Sequence, residues 1–307
     1  MKATAQILDA AAPLTKAPVV EKSRSAVLGE LFKVRLTTLV LLTTLVGFYL
    51  GSRAAVSWVL MFNTLLGTAL LAAGAAALNQ WLEREHDGKM RRTEDRPLPS
   101  GRLKADTALM IGGSCGMLGL IYLALTVNLL TAALGAATII SYLFVYTPLK
   151  RITTLNTVVG AIPGALPPLM GWTAARGELS LEGWSLFAVL CFWQLPHFLA
   201  IAWMYRDQYA QAGFVMLPVT DPTGQRTGRQ ALSHTLGLLP VSFFPFLFKM
   251  VGPVYLVGAA LLGVAFLWCA FQFYRGRSLQ RARLLFFASI IYLPSLLGLM
   301  VIDKIAN

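Results

Sequence analysis

The chain has 307 residues, of which 56% are hydrophobic and only 13% charged, and its formal net charge is +12. With a mean hydropathy of +0.64, this composition excludes an ordinary soluble globular domain. It predicts a polytopic membrane protein instead.

The first thirty residues form a polar arm of mixed charge, with both acidic and basic side chains. The arm lacks the apolar core of a cleaved signal peptide, and it contains the acids that mitochondrial targeting segments avoid. We therefore interpret residues 1–30 as a cytoplasmic arm and residues 31–307 as a single intramembrane domain. The expected location is a bacterial plasma (inner) membrane.

After the arm, apolar runs of helical length follow one another to the end of the chain. Each is close to the roughly 20 residues that a helix needs to cross a bilayer. They predict an all-α fold with nine transmembrane helices, near residues 34–52, 57–82, 106–125, 127–147, 153–175, 182–205, 229–249, 252–274 and 281–302.

Basic residues are distributed unequally between the two sides that nine spans define. Twenty-two of the 26 Lys and Arg residues fall in the arm and the even-numbered connections, and four fall on the other side. The positive-inside rule then predicts a cytoplasmic N-terminus and a C-terminus on the far side. Because topology explains the positive charge, no nucleic-acid partner is expected.

The densest charge lies between Asn79 and Arg102, directly after the second apolar run. No helix breaker precedes Asn79, so the helix is predicted to continue into the charged segment. Asn79, Glu83 and Asp87 are spaced four residues apart and therefore project from one helix face, about 6 Å apart along the axis. The spacing predicts a column of three side chains that carry oxygen ligands.

Such a column suits a hard divalent cation. Mg²⁺ takes one or two carboxylates and completes its shell with water and substrate phosphates. The basic side chains of Arg91, Arg92 and Arg96, which follow the column, suit phosphate oxygens. The alternative is a solvated loop at the membrane edge, and spacing alone does not decide between the two.

Two later segments carry further polar groups near the cytoplasmic ends of predicted spans. Such groups are costly at membrane depth unless they line a cavity. They are Tyr146, Lys150, Arg151 and Asn156 around the fourth connection, and His197, Arg206 and Asp207 at the end of the sixth span. Asp207 falls on the same side as Asp87, where it suits a second metal ion on a shared diphosphate. An ordinary loop, and for His197 a hydrogen-bonded core histidine, is the alternative.

Three runs of the sequence resemble a family of intramembrane prenyltransferases, the protohaem IX farnesyltransferases. The runs are NQWLEREHDGKMRRTEDRPL from Asn79, YTPLKR from Tyr146 with GAIPGALPPLMGW after Asn156, and WQLPHF followed by Arg206 and Asp207. The resemblance covers most of the chain from about residue 30. Three motifs in the correct order make it highly specific.

The resemblance implies nine transmembrane helices around a central cavity with a cytoplasmic cap. It also implies that acidic motifs bind Mg²⁺ and the diphosphate of an isoprenoid donor, and that Tyr146 and Lys150 contact this diphosphate. Glu83 stands where many members of the superfamily have Asp. Near Asp207 the sequence lacks the several aspartates of the broader superfamily, which leaves the ligands of a second metal open.

Proteins of this branch transfer a farnesyl group from farnesyl diphosphate to a vinyl group of haem b, with water addition, to give haem O. We therefore predict these two substrates and Mg²⁺ as cofactor. The predicted catalytic residues are Asn79, Glu83, Asp87, Lys150 and Asp207, and all of these except Lys150 are also predicted metal ligands. The predicted substrate-binding residues are Arg91, Arg92, Arg96, Tyr146, Arg151, Asn156, His197 and Arg206.

Two other functions fit the sequence less well. The acceptor of a prenyltransferase can be an aromatic acid or a quinone precursor. A transporter or a haem-handling assembly factor is the alternative in another class, but no Pro/Gly-broken helix pair recurs in corresponding halves, as transporter repeats would predict. Apart from the lipid bilayer, the expected protein partner is a haem A synthase or a terminal oxidase.

Overall fold

The structure is a computed structural model that describes residues 22–53 and 55–305. Within these ranges all regular elements are helical, and extended pairing is limited to one antiparallel bridge between Val251 and Lys304. The predicted all-α class is confirmed. Most of the predicted arm, residues 1–30, lies outside the described residues, so its extent stays a prediction.

Thirteen α-helices follow one another along the described chain. A π-helical turn, Ser141–Tyr146, joins α5 to α6, and a 3₁₀ turn, Leu217–Val219, precedes α10. The helices are α1 (Arg24–Leu31), α2 (Val34–Gly51), α3 (Trp58–Asp87), α4 (Ala105–Thr126), α5 (Leu129–Ile140), α6 (Thr147–Leu149), α7 (Asn156–Arg176), α8 (Leu181–Met204), α9 (Arg206–Gln211), α10 (Gln225–Val241), α11 (Phe244–Leu247), α12 (Pro253–Gly276) and α13 (Leu279–Ile302).

Eight helical segments in the described ranges are long and apolar enough to cross a membrane, and they match eight of the nine predicted spans. The seventh predicted span, 229–249, is divided. There α10 ends at Val241, just after Pro240, and α11 forms a single further turn that contains Pro245. Proline lacks a backbone N–H and clashes with the preceding turn, so this apolar run does not form one continuous helix.

The described chain begins and ends at opposite ends of the bundle. At one end, Gln80 Nε2 of α3 donates to the carbonyl of Leu31 in α1 (2.8 Å). At the other, Lys304 Nζ donates to the carbonyl of Ser52, directly after α2 (2.8 Å). The chain therefore crosses the bundle an odd number of times, which requires the α10–α11 segment as a ninth crossing beside the eight long ones.

Glycines allow α2 and α7 to pack with their backbones in contact. A Cβ atom added at Gly171 of α7 would overlap the Thr44 carbonyl of α2, and one added at Gly47 would overlap the Pro168 carbonyl of α7. Lipid is as apolar as these side chains, so close packing rather than water exclusion drives helices together in a membrane. This contact fixes α2, and the residue just before α2, Lys33, reaches the column on α3.

A cap, which we define as α1 and residues 88–104, covers the end of the bundle where α3 terminates. Four charged side chains fasten its two parts: Lys22 contacts Glu30 (2.6 Å) and Asp95 (2.7 Å), and Arg102 contacts Asp95 (2.8 Å). Hydrogen bonds from Arg102 and Lys22 lower the pKa of Asp95 to about 2, so the carboxylate stays ionised at neutral pH. The predicted cap is thus present next to the column.

Candidate active site

The three side chains of the predicted column lie on one buried face at the end of α3. Asn79, Glu83 and Asp87 are 1%, 4% and 1% exposed, and α3 continues without interruption through all three positions. Carboxylates are almost never buried to this degree unless they are paired or bind a cation. The column is therefore a charged site enclosed by the bundle rather than a solvated loop.

Each member of the column has one basic partner, and the three partners come from different parts of the chain. They are supplied by the turn before α2, the turn after α6 and the cap. The pairs are Lys33 Nζ with Asn79 Oδ1 (2.8 Å), Lys150 Nζ with Glu83 Oε1 (2.8 Å) and Arg96 Nη1 with Asp87 Oδ2 (2.6 Å). Folding thus assembles three basic side chains around three oxygen ligands.

Lys33 was not predicted from the sequence. It precedes α2 with left-handed backbone angles (φ 48°), which turn its side chain toward α3. Burial and the charges of Arg96 and Lys150 together lower the pKa of Lys33 to about 7, although Glu83 and Asp87 act in the opposite direction. Lys33, Arg96, Lys150, Glu83 and Asp87 therefore lie close enough together for their charges to influence one another. In the sequence Lys33 is one of several basic residues before the first span, and nothing distinguishes it.

Lys150 is positioned by the π-helical turn that ends at Tyr146. Its ammonium lies 4.5 Å from the centre of the Tyr146 ring. Burial acts to lower the pKa of Lys150, but the Glu83 carboxylate together with Tyr146 and Tyr142 raises it more, so the ammonium stays charged. The neighbouring Thr147 accepts a hydrogen bond from Asn79 Nδ2 (3.3 Å). Of the predicted pair, Lys150 therefore contacts the column directly, and Tyr146 contacts Lys150.

A cavity of about 160 Å³ opens beside Tyr146. Its wall is formed mainly by aromatic and apolar side chains of α8 and of the segment that follows it, among them Phe198, Ile201 and Met216. Arg92 of the cap is the only charged residue in this wall. The structure thus places an apolar space next to the charged column, as the predicted central cavity requires.

The structure does not bring Asp207 into contact with the column. Its side chain is 89% exposed, and its ion pair is with the adjacent Arg206 (3.6 Å). The Arg206 guanidinium in turn lies 4.4 Å from the centre of the Trp203 ring. The roles of Asp207 as a second metal ligand and of Arg206 in substrate binding stay predictions.

Three other predicted residues lie at the edge of the site. Arg151 is exposed and donates to the Leu82 carbonyl of α3 (3.2 Å). Asn156 is fully buried and donates to the Val215 carbonyl (2.9 Å), which holds the chain after α9 against the start of α7. Arg91 is exposed on the cap. These contacts position neighbouring segments, and substrate binding by these residues stays a prediction.

His197 packs between α8 and α13. Its ring stacks on Trp193 and Phe286, with centroids 5.1 Å away in both cases. Nδ1 lies 2.7 Å from Ser289 Oγ, whose own proton is donated to the Phe286 carbonyl. Ser289 therefore accepts from Nδ1–H, and Nε2 keeps its lone pair. Both a core role and binding of haem iron suit this tautomer, and the latter stays a prediction.

Comparison with known families decides what kind of protein has this arrangement. The model of the UbiA prenyltransferase family matches residues 40–291, which is most of the chain. The chain belongs to the UbiA prenyltransferase family.

Relatives within this family share a more specific name. A protein from Solibacter usitatus named protoheme IX farnesyltransferase is 49% identical over 90% of this chain and 97% of its own length. Another of the same name, from Koribacter versatilis, is 42% identical over 90% of this chain and 92% of its own. A solved UbiA homolog from Archaeoglobus fulgidus, bound to GPP and Mg²⁺, superposes with a TM-score of 0.66 at 15% identity and covers 89% of this chain and 99% of that one. The UbiA fold and the resemblance stated above are confirmed.

The column of this UbiA prenyltransferase is suited to supply some of the ligands of a Mg²⁺ ion, with the remaining ligands provided by water and phosphate. Among the described residues no three His, Cys, Asp or Glu side chains converge on one point. The column instead offers two carboxylates and one amide oxygen, all hard ligands, and leaves the rest of an octahedral shell to water and phosphate. A complete protein cage is not what Mg²⁺ requires, so the donor set suits a metal ion that binds together with a diphosphate.

Proposed function

We propose that this prenyltransferase transfers the farnesyl group of farnesyl diphosphate to a vinyl group of protohaem IX (haem b), with addition of water, to give haem O and diphosphate. The observation that carries the proposal is the buried column of Asn79, Glu83 and Asp87 with a basic partner on each member. The column lies beside an apolar cavity. The choice of haem b as acceptor is supported by the names of the relatives.

The column and its cations would bind the charged head of the donor. When bound, Mg²⁺ would neutralise diphosphate oxygens and hold them on the Glu83 and Asp87 carboxylates. As the bond between C1 and oxygen breaks, its electron pair moves onto the diphosphate. Lys33, Lys150 and Arg96 lie where this charge grows, so they stabilise the transition state more than the bound substrate.

The apolar cavity would receive the reacting ends of the isoprenoid chain and of the acceptor. The electron pair of a haem vinyl group forms the new bond to C1, which leaves a cation on the haem side chain. Water then adds to this cation and loses a proton to solvent, which gives the hydroxyethylfarnesyl group. Phe198, Ile201 and Met216 offer no nucleophile to the first, allylic cation and limit the water near it.

Removal of the metal tests the proposal directly. Membranes that contain the protein, incubated with haem b, farnesyl diphosphate and Mg²⁺, are expected to form haem O, detected by its mass. A chelator should abolish product formation, and added Mg²⁺ should restore it, because the Glu83 and Asp87 carboxylates would repel an anionic diphosphate in the absence of a divalent cation. Prenylation of 4-hydroxybenzoate with no change to haem b would contradict the proposed acceptor.

Lys33 supplies a second test, because it was assigned from the structure alone. Lys33→Met should raise the KM for farnesyl diphosphate by about tenfold, the effect of losing one charge-assisted hydrogen bond. Arg35→Met is the matched control, since Arg35 lies two residues away and is exposed. Equal KM values in the two variants would remove Lys33 from the diphosphate site.

We further propose that the column end of the bundle faces the cytoplasm of a bacterial inner membrane, with the C-terminus on the far side. The distribution of Lys and Arg supports this orientation. The two ends of the described chain, which lie at opposite ends of the bundle, agree with it. The product would then pass to a haem A synthase or a terminal oxidase, as predicted from the resemblance.

A further inference from the structure

Arg92 differs from the other basic residues of the site in what it contacts. The column already has a cation on each of its three members, and none of these cations is Arg92. Within the described residues no carboxylate lies within 4 Å of its guanidinium, whereas it does line the wall of the apolar cavity. Arg92 is therefore a solvent-exposed cation that lines the cavity and does not pair with the column.

Aromatic side chains fix the orientation of this guanidinium. It lies 5.0 Å from the centre of the Tyr205 ring and 5.5 Å from that of Tyr209, and Nη2 donates to the Tyr209 hydroxyl (3.1 Å). The backbone N–H of Arg92 donates to Gln208 Oε1 (3.1 Å). A guanidinium has five N–H donors, so most of them stay available on a side chain that is already ordered.

In the proposed function, the reacting end of the donor would lie at another part of the cavity wall. Tyr146 lines it too, and the Tyr146 ring contacts the Lys150 ammonium, which pairs with Glu83. A molecule in the cavity can therefore contact Arg92 with one edge while another edge lies next to C1 of the donor. The apolar and aromatic wall between them suits a flat, hydrophobic molecule.

We propose that Arg92 binds a carboxylate of the acceptor and thereby determines which edge of the acceptor faces the donor. This assignment rests on the proposed function and reassigns Arg92 from the diphosphate to the acceptor. Haem b carries two propionates on one edge of its ring and its vinyl groups elsewhere on the perimeter. A guanidinium pairs with a carboxylate through two parallel hydrogen bonds, which fixes the direction of the ring as well as its affinity.

Esterification of the propionates tests whether Arg92 binds an acceptor carboxylate, because the ester removes the negative charge that the guanidinium would bind. Purified full-length protein would be assayed with haem b and with its dimethyl ester, in the wild type and in Arg92→Gln. We expect the wild type to have a KM about tenfold higher for the ester. In Arg92→Gln the KM for haem b should rise to the value for the ester, so that the variant no longer distinguishes haem b from its ester. The KM for farnesyl diphosphate should change by less than about twofold in the variant.

Lys89→Gln is the matched control, because Lys89 lies in the same cap segment, is exposed, and loses the same charge. It should discriminate between haem b and the ester as the wild type does, and Arg92→Lys should recover part of the discrimination. The assignment of Arg92 would be overturned if the wild type used haem b and its dimethyl ester equally well. It would also be overturned if Arg92→Gln raised only the KM for farnesyl diphosphate. If the wild type did not farnesylate haem b at all, the proposed function would fail and this inference with it.

Discussion

Glu83→Gln and Asp87→Asn are each expected to reduce the rate of farnesyl transfer by about a hundredfold or more. Both substitutions keep the shape of the side chain and remove one negative charge from the column. The metal then loses a carboxylate ligand at the point where charge develops on the diphosphate, and the removal of a single group of this kind costs about 10²–10³ in kcat. Turnover at saturating substrate, measured over a range of Mg²⁺ concentrations, gives the result.

Both variants also leave a cation without its partner, and this has to be separated from the catalytic effect. Lys150 pairs with Glu83, and Arg96 pairs with Asp87. Breaking a buried ion pair destabilises a protein, so the thermal midpoint in detergent must be measured alongside turnover. Glu85→Gln is the control, because Glu85 lies on the same helix with a side chain that is 76% exposed. If the Glu83 and Asp87 variants folded and kept full activity, the proposal that these carboxylates bind the metal would be wrong.

The sequence was sufficient for the part of the site that lies on one helix. The spacing of Asn79, Glu83 and Asp87 requires only that a helix continue through them, and α3 does so for 30 residues. Tyr146 and Lys150 were visible as polar groups four residues apart at the end of a predicted span, but their link to the diphosphate came from the resemblance. Local periodicity determines such groups before any tertiary contact is known.

What the sequence could not supply is the pairing between distant segments. Lys33 reaches Asn79 because a left-handed turn precedes α2 and because α2 lies close to its neighbours, and neither feature has a local signal. Arg92 and Arg96 are four residues apart, yet one lines the cavity and the other contacts Asp87. The fold of the cap directs Arg92 and Arg96 to different places, whereas the sequence alone gives no reason to distinguish these two arginines.

The divided seventh span has a physical cause of the same kind. An apolar stretch is recognised by hydropathy, which does not register where a helix stops. Pro240 and Pro245 end and restart the helix within that stretch. Proline is tolerated there because neighbouring segments satisfy the freed backbone groups: the Ser242 carbonyl accepts a hydrogen bond from the Tyr255 hydroxyl (2.7 Å).

Gly171→Ala is expected to lower the stability of the folded protein, although alanine is the better helix former. A Cβ at this position would overlap the Thr44 carbonyl and lie 2.7 Å from the Phe48 nitrogen, and both of these are backbone atoms that cannot rotate away. Overpacking of this kind costs about 1–3 kcal/mol, which exceeds the gain of about 1 kcal/mol in helix propensity. The midpoint of thermal unfolding in detergent should fall accordingly.

Gly113→Ala provides the comparison for this substitution, because Gly113 lies in α4 and a Cβ there would meet nothing within 4 Å. That variant has the same gain in helix propensity without the overlap, so its midpoint should equal or exceed that of the wild type. In Gly171→Ala the separation of α2 from α7 should also move Lys33 away from Asn79, which raises the KM for farnesyl diphosphate as Lys33→Met does. A Gly171→Ala protein as stable as Gly113→Ala would show that α2 and α7 are not in backbone contact, and Lys33 would then have no fixed position from which to act on the diphosphate.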